Sequence, residues 1–202
     1  MCITVGTVKI HIGFLFAAAV CLYLNSSYSS VFIAAFVSAM LHEMMHLAYL
    51  LSYGCKNIEL TLLPSGAKIS GAALESLSYR HAIAVTLSAP VLNIILSVLL
   101  FCVYRIGTNM NILQAAQLNF LLGAVNLLPM SFLDGGRALF SFVCIKKDLT
   151  AAENISLVCD IVILLLLLSV IVFFMFIKLK FMSLLIFFIY AVLNMTKKHS
   201  KS

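Results

Sequence analysis

From Val31 to Leu51 the chain is apolar and carries one charged side chain, Glu43, inside the cluster His42-Glu43-Met44-Met45-His46. A run of this length can cross a bilayer as a helix. Ionisable groups at that depth are costly, so by default they mark function. On a helix, residues four apart project from one face, one turn above the other. The imidazoles of His42 and His46 can therefore reach one metal ion, and Glu43 lies close enough to meet a water on it. Two ligands with a general base beside them form the HExxH arrangement of zinc hydrolases. The plainer alternative is a pair of buried histidines bonded to backbone carbonyls.

The surrounding chain sets the fold class. Of its 202 residues 63% are hydrophobic and 10% charged, with a mean hydropathy of +1.14. Soluble domains are roughly half apolar and about a quarter charged. The reading is an all-α polytopic membrane protein in the lipid bilayer, one membrane-embedded domain over 1–202 without an appended soluble domain. Apolar runs predict about six transmembrane helices, near 10–24, 31–53, 82–104, 112–128, 155–177 and 181–195. For the run over 10–24 a signal peptide is the alternative. The net charge of +6 follows from Lys and Arg between the runs, so nucleic acid is not an expected partner. The six cysteines form no CxxC pair and read as small apolar side chains.

Between the second and third runs, Ile58-Glu59-Leu60-Thr61-Leu62-Leu63 is β-prone, Pro64-Ser65-Gly66 turns, and Ala67 to Gly71 returns. This predicts a short β-hairpin, either an ordinary surface hairpin or a re-entrant one. Non-helical backbone at membrane depth is tolerated only against protein or a wet cavity, so a re-entrant hairpin would line the site. The third run contains Ser88-Ala89-Pro90 and Asn93. Small residues let helices approach, proline kinks, and a buried amide needs a partner. The fourth run ends in Asn126-Leu127-Leu128-Pro129, followed by Met130-Ser131-Phe132-Leu133-Asp134-Gly135-Gly136-Arg137. Asp134, one of three aspartates in the chain, sits between a broken helix and two glycines.

With six spans, ten of the thirteen Lys and Arg residues fall on one side, which places both termini in the cytoplasm. The second and fourth runs then both point inward, bringing the HExxH and Asp134 to similar depth. A catalytic zinc takes three protein ligands and keeps one open position. Asp134 is the leading third ligand after His42 and His46, with Asp148, Glu153 and Asp160 as weaker options. Glu43 is the general base and acid. Asn126, and secondarily Asn93, could offer N–H groups to substrate or to a developing oxyanion. An extended substrate strand could add to the hairpin edge.

HEMMH followed by NLLPMSFLDGGR closely resembles the site-2 protease family of intramembrane zinc metalloproteases, over nearly the whole chain. The compact form resembles the stage IV sporulation protease branch of spore-forming bacteria. The resemblance implies one zinc ion per chain held by His42, His46 and Asp134, with Glu43 as catalytic acid and base. It also implies substrate binding at Asn126, a re-entrant hairpin like 58–70, and regulated cleavage of a membrane-associated substrate, in that branch a pro-sigma factor. Regulatory membrane proteins and a bacterial cell membrane are implied with it. Two positions depart from the family: Ser88-Ala89-Pro90 stands where A-G-P is frequent, and Phe132 where a second proline is frequent. The competing readings are a catalytically silent relative acting as a binding partner, and a haem or metal-ion carrier. Intact His42, Glu43, His46 and Asp134 argue against the first; histidines four apart on one helix cannot flank a haem. Reporter fusions within 105–111 should report an extracytoplasmic location; cytoplasmic signal there would overturn the six-span topology.

Overall fold

The computed structural model describes residues 2–5, 8–12, 29–56, 58–63, 66–70, 77–176 and 182–199. They form two compact units, Met1–Asn126 and Leu127–Ser202.

The first unit contains strands β1 (Cys2–Val5) and β2 (Val8–Ile12), helix α1 (Ser29–Ser52), strands β3 (Ile58–Leu63) and β4 (Gly66–Ser70), and helices α2 (Tyr79–Gly107) and α3 (Met110–Asn126). The strands form one sheet in the order β1-β2-β3-β4. β3 and β4 pair antiparallel, Glu59 opposite Ser70, over the segment expected as a hairpin. Two further strands extend it. β1 and β2 are antiparallel, and β2 runs parallel to β3 with Val8 opposite Ile58. A parallel pair requires a long crossover, and here that connection contains α1. The sheet corrects the expected start of the first span. Val8-Lys9-Ile10-His11-Ile12 alternates apolar and polar residues, a period-2 pattern that suits a strand. The rest of the 10–24 run lies outside the described residues.

α1 ends in a Schellman turn: Gly54 adopts φ 76°, the Cys55 N–H donates to Leu50 O at 3.1 Å, and the Gly54 N–H to Leu51 O at 2.9 Å. α2 and α3 are joined by Thr108 and Asn109. Thr108 takes a left-handed conformation at φ 50° and donates its N–H to Tyr104 O at 2.7 Å. Asn109 Oδ1 accepts from the Asn111 N–H at 2.9 Å and so caps α3. A turn this short makes the two helices antiparallel neighbours. Gly123 is what lets them close: a Cβ there would lie 2.9 Å from Pro90 O and from Ile94 Cδ1. α3 stops at Asn126, short of the expected 128, because Pro129 disfavours helical geometry at the residue before it.

The second unit contains α4 (Asp134–Lys146), α5 (Leu149–Phe176) and α6 (Met182–His199). α5 starts at Leu149, earlier than the expected 155. Asp148 caps it, accepting from the Ala151 N–H at 3.3 Å and from the Thr150 hydroxyl. That hydroxyl, then the backbone N–H groups of the cap, hold the exposed Asp148 carboxyl below its ordinary pKa. Three described helices are long and apolar enough to cross a membrane: Ser30–Ser52, Tyr79–Gly107 and Leu149–Phe174. Leu184–Thr196 is apolar but shorter.

The start of α4 packs directly on the segment before it. A Cβ on Gly136 would overlap the Met130 carbonyl, and one on Gly135 the Leu127 carbonyl. Both obstacles are backbone, which cannot swing aside. Gly136→Ala should therefore lower the unfolding midpoint of the detergent-solubilised protein by a loss on the order of 3 kcal/mol. Gly107→Ala, whose Cβ would meet nothing within 4 Å, should leave the midpoint unchanged.

Candidate metal centre

His42 and His46 lie on the buried face of α1, 5% and 7% exposed. Their rings stand 4.8 Å apart at 89°, the geometry of neighbours one helical turn apart. Each ring is held through its Nδ1. His46 Nδ1 is 2.8 Å from the Val85 carbonyl of α2. A carbonyl only accepts, so this nitrogen carries the proton and Nε2 carries the lone pair. Val85 lies in the turn before Pro90, which has no N–H for the carbonyl four residues back and distorts the helix there. Val85 O also accepts from the Ser88 hydroxyl at 2.7 Å.

His42 Nδ1 is held by a side chain, at 2.7 Å from Asn93 Oδ1. Asn93 is 0% exposed, and its Nδ2 donates to Asn119 Oδ1 of α3 at 2.9 Å. The Asn93 oxygen therefore faces His42 and accepts from Nδ1–H, again leaving the lone pair on Nε2. Holding the outer ring nitrogen in this way fixes tautomer and ring direction for a metal on the other nitrogen. Asn93, expected as a second oxyanion donor, is engaged at both ends of its amide. Asn119 in turn donates through Nδ2 to Ser38 Oγ at 2.8 Å and to Ala115 O at 2.9 Å. The sequence reading missed Asn119 and Ser38. One signal was available: Ser38 precedes His42 by four residues and so shares its face.

Glu43 is half-buried on α1, adjacent to His42. Asn126, the last residue of α3, is half-buried and donates through Nδ2 to its own helix at Leu122 O, 3.0 Å.

Asp134 is the first residue of α4 and is 7% exposed. The chain leading to it is folded tightly: Met130 N–H donates to Leu128 O at 2.8 Å and Leu133 N–H to Met130 O at 2.9 Å. A carboxylate in the first turn is favoured by the helix dipole, and the close backbone packing of Gly135 and Gly136 holds that turn in place. Asp160 of α5 accepts from the Ser131 N–H at 2.8 Å and so supports this segment. Of the other weaker ligand options, Asp148 caps α5 and Glu153 is exposed. Phe132, in the position where proline is frequent in the family, packs edge-on against Tyr190 of α6, centroids 5.6 Å apart.

His42 and His46 of the first unit and Asp134 of the second are buried side chains of the kinds that ligate a metal ion. These donor types suit zinc: two imidazoles, a carboxylate, and a Glu in the HExxH register.

Residues 104–169 match the family model for Peptidase family M50, a span that includes Asn126 and Asp134 but not the HExxH. The fold is similar to that of the site-2 protease from Methanocaldococcus jannaschii, with a TM-score of 0.68 and 21% identity, over 98% of this chain and 94% of that one. No curated protein matches the chain in sequence.

Proposed function

We propose that this chain is an intramembrane zinc metalloendopeptidase of the M50 type that cleaves a membrane-associated protein. The observation that carries the reading is the buried His42 and His46 pair on α1, each ring anchored through Nδ1, with Glu43 beside it. The M50 match over 104–169 and the fold likeness to a site-2 protease support it.

In this reading His42 and His46 would hold one zinc ion, with Asp134 as the third ligand. A bound zinc supplies Lewis acidity to a water and to the scissile carbonyl. Glu43 takes the proton of the attacking water and returns it to the leaving amine nitrogen. The Asn126 amide releases the Leu122 carbonyl and donates to the substrate carbonyl as negative charge develops there. The outer strand of the 58–70 hairpin, β4, binds substrate as an added strand, because a helical segment shields its own carbonyls from attack. The chain works as one membrane domain of about six spans with both termini in the cytoplasm of a bacterial cell. By resemblance it belongs to the sporulation-protease branch, its substrate is a pro-sigma factor, and membrane proteins regulate it.

Glu43→Gln should keep zinc near one ion per chain by elemental analysis of the purified protein while abolishing cleavage of a co-expressed substrate. Persistent cleavage would remove Glu43 from the role of general base. Asp134→Asn should lower zinc retention during dialysis against a chelator by more than the roughly 10–100-fold in affinity that loss of an outer-shell partner costs. Unchanged metal content would move the third ligand elsewhere.

A further inference from the structure

We infer that Asn119 is a positioning residue for His42, acting through Asn93, and that it fixes the imidazole tautomer on which metal binding depends. The inference rests on the zinc-site reading for its purpose, but not for its geometry.

Asn93 is the weak point of the His42 anchor. The oxygen and nitrogen of a primary amide are nearly the same size, so its two orientations fill the same space. If the Asn93 amide were reversed, Nδ2 would face His42 Nδ1 and demand an acceptor there. The ring proton would then move to Nε2, the nitrogen needed for metal. Something must hold the amide in one sense, and Asn119 Oδ1 does so by accepting from Asn93 Nδ2 at 2.9 Å.

Asn119 is an amide too, but its own sense is fixed. Its Nδ2 lies 2.9 Å from Ala115 O, and a backbone carbonyl accepts and never donates. The same nitrogen donates to Ser38 Oγ at 2.8 Å. The Ser38 proton is directed to Ala34 O at 2.7 Å, so its oxygen faces Asn119 as an acceptor. The row therefore has a single hydrogen-bond direction, set at two backbone carbonyls and delivered to His42. Its members are sealed from water, with Ser38 4%, Asn119 3%, Asn93 0% and His42 5% exposed. No solvent is at hand to satisfy a reversed amide, and an unpaired buried polar group is costly. His46 needs no such row, because the Val85 carbonyl already sets its proton.

Asn119→Leu tests this. The readout is the imidazole 15N chemical shifts of metal-free protein in lipid, with zinc affinity measured by competition against a chromophoric chelator. In the unsubstituted protein both His42 and His46 should be Nδ1–H tautomers. In Asn119→Leu, His42 should gain the Nε2–H form while His46 stays unchanged, and zinc affinity should fall about 10–100-fold. Adding Asn93→Asp should restore the His42 tautomer, because a carboxylate has no reversed sense. Asn119→Asp keeps an oxygen towards Asn93 and should retain the Nδ1–H form, which provides the test if Asn119→Leu does not fold. An unchanged His42 tautomer in Asn119→Leu, or its loss in Asn119→Asp, would overturn the inference. Absence of zinc binding by the unsubstituted protein would instead overturn the metalloprotease reading, with the tautomer result still standing.

Discussion

The structure depends on the rule that a polar group inside an apolar bundle must find its partner within the protein. α1 buries two imidazoles with few polar neighbours, and each ring spends its Nδ1 on α2. That commitment orients both rings through protein contacts alone. The apolar setting limits the alternatives a ring could turn to. What is an expense for folding is thereby a source of order at the site.

In each unit the departures from regular helix lie beside candidate site residues. Pro90 sits one turn from the carbonyl that holds His46. Pro129 ends α3 beside Asn126 and starts the compact segment that leads to Asp134. Gly135 and Gly136 let the first turn of α4 rest on backbone that any side chain would strike. Apolar helices alone would offer sequestered surface but no fixed donors or acceptors. The breaks supply those.

Much of this was legible in the sequence, for identifiable reasons. His42, Glu43 and His46 declare themselves by spacing on a helical run, and the Asp-Gly-Gly turn by residues that permit backbone approach. The segment 58–70 shows its strands through β-prone residues flanking a turn. β1 and β2 were harder to see. They are short, their pairing with β3 is long-range, and their apolar residues merge with the run that follows. Asn93 was legible as an amide in need of a partner, but not which partner. Asn119 carries no motif at all. Its meaning comes from the antiparallel packing of α2 and α3, a tertiary fact that local pattern does not contain.

The two histidines are anchored differently, and this bears on how such a site can change over generations. The support of His46 is a main-chain carbonyl, which any residue at position 85 would supply. The support of His42 is written in side chains, each replaceable by a single codon change. Divergence among descendants of this chain would therefore reach the site through His42, with His46 serving as the inherited constant. One candidate ligand is held by the backbone, and the other by side chains that can be replaced.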